Sequence, residues 1–154
     1  LRSLEAKNQD SVKIISEVLE PKHIELLKSA NINDFIISAN LISKALAQVS
    51  EQPDLIDLYN LLLTEAGPEF HIKPVSYYVN TIPGKYSFFT LAKQAAKRKE
   101  VLVGYKIKSL ENDPTRNYGI ILNPKNKMEL LDFKEADSLI VLAEDERWNI
   151  SINN

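Results

Sequence analysis

The chain has 154 residues, a formal net charge of −2 at pH 7, 44% hydrophobic residues and 26% charged residues. This composition is typical of a folded protein and excludes a disordered polyelectrolyte. The absence of cysteine excludes disulfides and thiolate chemistry, and the near-neutral charge gives no electrostatic reason to expect nucleic-acid binding. No apolar stretch is long enough to span a bilayer, and no signal peptide is recognisable.

The first part of the chain alternates predicted helices and strands. Residues 1–7 are typical of the end of a helix, so we expect the sequence to come from a longer protein. Residues 12–18 are rich in β-branched side chains and predict a strand, residues 21–30 predict a helix, and residues 35–37 predict a second, buried strand. Such alternation predicts a parallel sheet, about half of a doubly wound fold, but without its glycine-rich phosphate loop.

A helix, a break and a second helix are predicted to follow residues 35–37. Ser38 or Asn40 can cap the first helix, and Pro53 ends it because proline lacks an N–H and restricts the residue before it. The second helix, about residues 53–63, has almost no polar face, so it needs cover on nearly all sides. We interpret it as an interface helix; the alternative is a central helix of one core. The predicted interface residues are Leu55, Ile56, Leu58, Tyr59, Leu62 and Leu63.

Residues 66–148 are expected to form a second, α+β lobe, and residues 149–154 a tail. In residues 69–75, Phe70 and Ile72 alternate with His71 and Lys73, which predicts a strand. Residues 82–85 predict a turn. Ser87 is expected to cap a helix with an apolar stripe. Further strands are predicted at residues 101–107, 118–122 and 139–143.

One residue of the first lobe is a candidate ligand-binding group. Glu17 is placed at the carboxyl end of a predicted parallel strand, where open α/β sheets bind ligands; the alternative is a solvated or ion-paired acid. No metal site is expected, because the acidic run 144–146 lacks staggered ligands and a glycine turn, and His23 and His71 are far apart. No catalytic residue is expected, since no nucleophile elbow is present. The basic run 97–99 is interpreted as a complement to a helix C-terminus, not a phosphate patch.

Several stretches together resemble a known family. They are IISEVLEP and DFIIS before the helix–break–helix, the segment from Gly84 to Leu91, Val103-Gly104-Tyr105, and ADSLIV from Ala136. In this order they resemble the TrkA-type domains that regulate potassium conductance (RCK domains). LISKALAQVSEQP and SLIVLAEDE are most similar to the Castor/Pollux branch of ion-channel proteins. The family has glycine where Ala136 stands, so the turn before the last strand is expected to avoid positive φ.

The resemblance implies both a fold and a function. Residues 1–65 would be the C-terminal half of a Rossmann-like N-lobe with its helix–turn–helix, and residues 66–148 the RCK C-lobe. The implied function is that of a cytoplasmic regulatory domain of a cation (potassium-type) channel or transporter, a membrane protein, with no enzyme activity. Ligand binding would rearrange subunits and alter conductance.

The resemblance also implies partners. They are a homo-oligomer, dimer or higher, formed through the helix–turn–helix, and the pore domain of the longer protein. A regulatory ligand, nucleotide or cation, would act in that longer protein, and no cofactor is expected in this part. Two alternatives are a doubly wound enzyme without its nucleotide-binding half and a free-standing ligand-sensing module.

Overall fold

The computed structural model describes residues 16–18, 35–64 and 67–144. The predicted helix at 21–30, the first part of the strand at 12–18, His23 and the tail at 149–154 lie outside the described residues. Contacts divide the chain into two compact units, with the boundary between Leu58 and Tyr59. Each unit is therefore described by itself. The lobe boundary predicted at residues 65 and 66 stays a prediction.

The first unit contains a short parallel strand pair. Strand β1 (Ser16–Val18) pairs with β2 (Phe35–Ile37), with Glu17 opposite Ile36. Helix α1 (Ser38–Glu51) follows β2 directly. A parallel pair is what alternating strands and helices predict, but two strands do not define a Rossmann-like sheet. The partial Rossmann-like fold class therefore stays a prediction.

The predicted break separates two helices. Helix α2 (Leu55–Leu62) begins two residues after Pro53, later than expected. Between the helices, Gln52 N donates to Gln48 O at 3.0 Å and Leu55 N donates to Gln52 O at 3.1 Å. The first bond ends α1, and the second spans Pro53, which has no N–H to donate.

The second unit is built mainly of antiparallel strands. Its elements in chain order are β3 (Glu69–Pro74), β4 (Gly84–Ser87), α3 (Phe88–Lys97), β5 (Val101–Lys106), β6 (Ile120–Leu122), β7 (Leu130–Phe133) and β8 (Ser138–Ala143). Four strands form a sheet in the order β3–β8–β5–β6, and β4 pairs with β7 in a separate ribbon. Every pair in this unit is antiparallel.

Two expectations for this unit need correction, and sequence analysis missed one strand. The turn predicted at residues 82–85 overlaps β4, which begins at Gly84, and β7 was not predicted. The strand predicted from residue 118 begins at Ile120, because Asn117 and Tyr118 take positive φ values of 50° and 55° in a kinked 3₁₀ segment. These short strands carry too few residues to show a period of two.

One hydrophobic core lies between α3 and the strands. Its buried members are Val75, Tyr78, Phe88, Leu91, Ala95, Leu102, Tyr105, Phe133, Leu139 and Val141. The predicted cap is confirmed, because Ser87 accepts a hydrogen bond from Thr90 N at 3.1 Å. The rings of Tyr105 and Phe133 pack edge to face, 5.5 Å apart. Complete burial of a side chain such as Leu91 contributes about 1.5–3 kcal/mol.

The turn before β8 conforms to the expectation for Ala136. Among the described non-glycine residues, positive φ occurs at Lys99, Asn117, Tyr118 and Asn123. Ala136 therefore avoids positive φ, as predicted. The next residue, Asp137, is buried and accepts backbone hydrogen bonds from Lys108 N and Lys134 N, each at 2.8 Å. Its carbonyl accepts from Val75 N at 3.1 Å. Asp137 thereby holds three segments of the second unit together without a glycine.

Strand β3 carries its side chains in the opposite sense to an ordinary surface strand. His71 and Lys73 are buried, while Phe70 and Ile72 are 57% and 55% exposed. An antiparallel sheet usually turns its apolar residues to the core. By register, the outward side chains of the sheet form what we term the outer sheet face, consisting of Phe70, Ile72, Val101, Leu122, Ile140 and Leu142. We therefore expect His71 or Lys73 to have a buried partner that keeps this side of β3 turned inward.

Gly104 provides a test of how closely the strands approach. A Cβ atom added at Gly104 would overlap the carbonyl oxygen of Ile121 and the side chain of Leu122 on β6. We expect Gly104→Ala to lower the free energy of unfolding by about 1–3 kcal/mol, measured by urea denaturation. Gly67→Ala is the comparison variant and is expected to cost less, because a Cβ atom there would lie 3.2 Å from the Leu61 carbonyl oxygen, a tight contact but not an overlap. Equal stability of Gly104→Ala and wild type would contradict the described β5–β6 pairing.

Candidate functional site: a buried charge cluster beside an aromatic cleft

Three side chains of the second unit meet at the buried carboxylate of Glu100. Lys73 Nζ of β3 lies 2.9 Å from Glu100 Oε1, and only 3% of the lysine side chain is exposed. Tyr78 donates its hydroxyl proton to Glu100 Oε2. Arg98 Nε lies 3.6 Å from Glu100 Oε1. We call Lys73, Tyr78, Arg98 and Glu100 the Glu100 cluster.

The end of α3 positions Glu100. Lys99 takes a φ of 60°, and the backbone then closes with Lys99 N donating to Ala96 O and Glu100 N donating to Ala95 O. This is the common way for a helix to end, although glycine usually occupies the left-handed position. The turn directs Glu100 inward immediately before β5 begins. A lysine in place of glycine at residue 99 hides this signal from sequence analysis.

The cluster holds its charges in defined states. Burial alone would raise the pKa of Glu100, but the hydrogen bonds from Tyr78 and Lys73, with the charges of Lys73 and Arg98, hold its pKa below the ordinary value. Burial, and then the hydrogen bond to Glu100, raise the pKa of Tyr78. At neutral pH the carboxylate is therefore ionised, and the phenol is a neutral donor. A buried ion pair held by a neutral donor is suited to fixing structure.

A cleft opens beside this cluster. Its volume is about 600 Å³, and its lining consists of Tyr77, Tyr78, Val79, Asn80, Thr81, Tyr86, Thr90, Gln94, Lys97 and Arg98. Tyr86 donates its hydroxyl to Thr81 O at 2.6 Å, and Arg98 Nη1 donates to Tyr77 O at 3.4 Å. The Arg98 guanidinium also lies 5.5 Å from the centre of the Tyr78 ring. We call this feature the aromatic cleft.

The predicted ligand residue lies in the first unit. Glu17 is the middle residue of β1 as described, and its side chain is exposed. Exposure fits both a ligand contact and a solvated acid. The ligand role of Glu17 stays a prediction.

The predicted interface residues lie on and just after α2. Leu55, Tyr59 and Leu62 are half-buried, while Ile56 and Leu58 are exposed and Leu63 is 83% exposed. No residue of α2 is buried. The description as a central core helix therefore gains no support from the described residues, and it stays an alternative. An apolar helix without cover fits an interface, but use of this surface by a partner stays a prediction.

The described residues provide no alternative centre for metal chemistry. Across residues 16–18, 35–64 and 67–144, no three His, Asp or Glu side chains come together as a metal would require. Two of the three acids in the run 144–146 lie outside these ranges. In the same part of the chain, no helix combines the length and apolarity needed to cross a membrane.

Sequence analysis missed the Glu100 cluster and the aromatic cleft. Their members come from segments far apart in sequence, and each has an ordinary alternative: a strand lysine, a helix-end arginine, a glutamate before a strand. One usable signal was present, because β3 alternates charged with apolar residues. The alternation alone does not show whether the polar or the apolar side of β3 faces the core.

Comparison with known proteins now adds to the geometry. No family model matches the chain. Among curated proteins, it is 31% identical over 137 residues to "Ion channel CASTOR" of Lotus japonicus, covering 89% of this chain and 15% of that protein. It is 26% identical over 146 residues to "Probable ion channel POLLUX" of Arabidopsis thaliana, covering 95% and 17%. It is 29% identical over 146 residues to "Ion channel DMI1" of Medicago truncatula, covering 95% and 16%.

The chain is therefore a relative of ion-channel proteins. Within that class it lies near the Castor/Pollux branch, which confirms the resemblance drawn from its motifs. The chain spans about one-sixth of the length of these curated relatives. What the whole proteins do is therefore carried to this chain only as a proposal.

The buried and the exposed ion pairs make a matched test of the Glu100 cluster. Glu100→Gln is expected to lower the free energy of unfolding by about 3–5 kcal/mol, because it removes the carboxylate charge that lies 2.9 Å from the buried Lys73 ammonium. Glu111→Gln is the control, since Glu111 pairs with Lys108 at 2.6 Å on the surface. Its expected cost is about 0–1 kcal/mol. Equal losses in chemical denaturation would contradict a special role for the buried pair.

Glu100→Gln also tests how the free energy of unfolding depends on pH. Because folding lowers the pKa of Glu100, its stabilising contribution is present above the ordinary value of 4.5 and is lost as pH falls through the folded-state pKa. The stability difference between wild type and Glu100→Gln should therefore be largest near pH 7 and shrink below pH 4.5. A difference that grows on acidification would have the wrong sign.

Glu17 provides a separate prediction in the first unit. Because its side chain is exposed, Glu17→Gln is expected to change the free energy of unfolding by less than about 0.5 kcal/mol. Thermal unfolding followed by circular dichroism measures this directly. A loss of several kcal/mol would mean that Glu17 stabilises the fold and would remove the argument for a ligand role.

Proposed function

We propose that this chain forms part of the cytoplasmic regulatory region of a cation (potassium-type) channel or transporter. In this role it couples ligand binding and subunit rearrangement to ion conductance, and it is not an enzyme. The observation that carries the proposal is its relationship, over about nine-tenths of its length, to proteins named as ion channels. The names of these relatives make the enzyme alternative less favourable, because none describes a catalytic activity.

The two helices support a role in subunit contact. The large apolar side chains exposed on α1, α2 and the residue after α2 are Leu41, Ile42, Leu46, Ile56, Leu58, Leu61 and Leu63. Large apolar side chains exposed in this number along surface helices are unusual for a soluble monomer and commonly mark interaction surfaces. The same residues would have to be covered in any stable assembly.

A second copy of the chain is the partner that we propose for α2. Two-fold association is the commonest way for a protein to cover such a surface with itself. Burial of each Leu or Ile contributes about 1.5–3 kcal/mol, so several of them can offset the entropy lost on association. The half-buried Leu55, Tyr59 and Leu62 would gain further cover in the same contact. The resulting assembly would be a dimer or a higher homo-oligomer.

Sedimentation equilibrium at micromolar concentration tests this association. Wild type is expected to be dimeric or larger, and Ile56→Asp with Leu63→Asp is expected to be monomeric, because the contact would bury unpaired carboxylates. The matched control is Gln52→Asp with Asn60→Asp, which adds the same charge at exposed polar positions nearby. A monomeric wild type, or an Ile56/Leu63 variant that stays associated, would remove α2 from the interface.

The regulatory part of the proposal is tested in the full-length protein. Ionic currents carried by the full-length protein should lose their dependence on regulatory ligand when Ile56 and Leu63 are both replaced by Asp. The control pair should keep that dependence. Currents with unchanged regulation in the dissociated variant would separate subunit contact from conductance and contradict the proposed coupling.

A further inference from the structure

We propose that the aromatic cleft binds a small organic anion that carries a planar ring. The site lies wholly within the second unit and involves neither Glu17 nor the interface helix. It deepens the proposed function by naming a class of ligand, and it rests on that function only for any effect of binding on conductance. Binding itself can be tested on the isolated chain.

The cleft has the volume of a small-molecule site, and one of its walls is well defined. Its volume of about 600 Å³ falls within the range of about 300–1,000 Å³ that holds small molecules. One wall is the polar side of α3, where Thr90, Gln94 and Lys97 share a face at spacings of four and three residues. The opposite side of α3 carries Leu91 and Ala95 into the core, so the helix is fixed behind its polar face.

The charges in the lining favour an anion. Lys97 and Arg98 both line the cleft, and none of the described residues in its lining is an Asp or Glu. The nearby carboxylate of Glu100 is already neutralised by Lys73 and holds the Tyr78 proton donor. Arg98 Nε lies 3.6 Å from Glu100 Oε1 and Nη1 donates to Tyr77 O, so the guanidinium is held in place beside the cleft. An anionic group in the cleft would meet one exposed ammonium and one guanidinium already held in place.

The aromatic side chains favour a planar ring beside that anion. Tyr77, Tyr78 and Tyr86 all contribute to the lining, and aromatic rings pack best against other flat rings or their edges. Tyr78 is held by Glu100, and Tyr86 is held by Thr81 O. Because these rings are positioned before any ligand arrives, little conformational entropy is lost on binding.

The lining also provides neutral groups that can orient a ligand. Asn80 and Gln94 offer amide donors and acceptors, and Thr90 offers a hydroxyl. The Thr90 hydroxyl already contacts the Ser87 hydroxyl at 2.9 Å, which places it at the first turn of α3. A polar ring substituent could therefore be recognised at the end of the cleft away from Lys97.

Phenyl phosphate is a suitable first probe because it joins a planar ring to an anion. Titrated into the full ¹⁵N-labelled chain, it is expected to shift the amide resonances of residues 77–81 and 90–98 in a saturable way. Inorganic phosphate has the anionic group without the ring, and phenol has the ring without the anionic group. Each is expected to bind at least about tenfold more weakly than phenyl phosphate. Benzoate tests whether a carboxylate can replace the phosphate. Phosphate that binds as well as phenyl phosphate would overturn the role of the ring.

A pair of lysine variants on one helix tests the site. Lys97→Gln is expected to weaken phenyl phosphate binding about tenfold through loss of a charge-assisted contact. Lys93→Gln removes the same charge from α3 outside the lining, where Lys93 Nζ lies over the Phe89 ring, and is expected to bind like wild type. Both lysines are exposed, so neither change should unfold the chain.

Two further results would overturn the proposal. One is the absence of saturable shifts at residues 77–81 with phenyl phosphate at millimolar concentration. The other is equal weakening by Lys97→Gln and Lys93→Gln, which would indicate general attraction between charges. Either failure would leave the sedimentation result for the interface helix unaffected. Conversely, a monomeric chain that still binds phenyl phosphate in the cleft would contradict the proposed assembly and support the site.

Discussion

The second unit depends on the ion pair between Lys73 and Glu100. Two opposite charges cannot be buried at low cost unless they meet and their remaining hydrogen-bonding groups are satisfied, and here Tyr78 and Arg98 complete the arrangement. Lys73 must therefore point inward from β3. Since side chains alternate along a strand, Phe70 and Ile72 must then point outward. The apolar outer sheet face is a direct consequence of a charge placed in the core.

The same pair connects the core to the aromatic cleft. Glu100 follows the left-handed residue Lys99, at which α3 ends. Arg98, two residues before Glu100, contacts both the Glu100 carboxylate and the carbonyl oxygen of Tyr77. Tyr78 belongs to the core, the charge cluster and the cleft lining at once. A change in the cleft would thus act on groups that also fix β3.

Sequence reasoning succeeded where one local signal dominated. The Ser87 cap, the alternating β5, the helix-ending proline at residue 53 and the motifs shared with ion-channel proteins could all be read from short stretches. It failed for β4 and β7, whose four residues each show no period, and for Tyr118, where positive φ at a non-glycine residue gives no sequence warning. The Glu100 cluster was out of reach because it joins residues 27 positions apart through a tertiary contact.

The central claim about the second unit is that Lys73 and Glu100 stabilise it as a pair. A double-mutant cycle using Lys73→Met, Glu100→Gln and both together measures this by the free energy of unfolding near pH 7. We expect each single variant to be strongly destabilised and the double variant to be less destabilised than their sum by more than about 1 kcal/mol, because either change alone already removes the attraction between the two charges. Additive losses, agreeing within about 0.5 kcal/mol, would show that the two side chains act independently and would contradict the account.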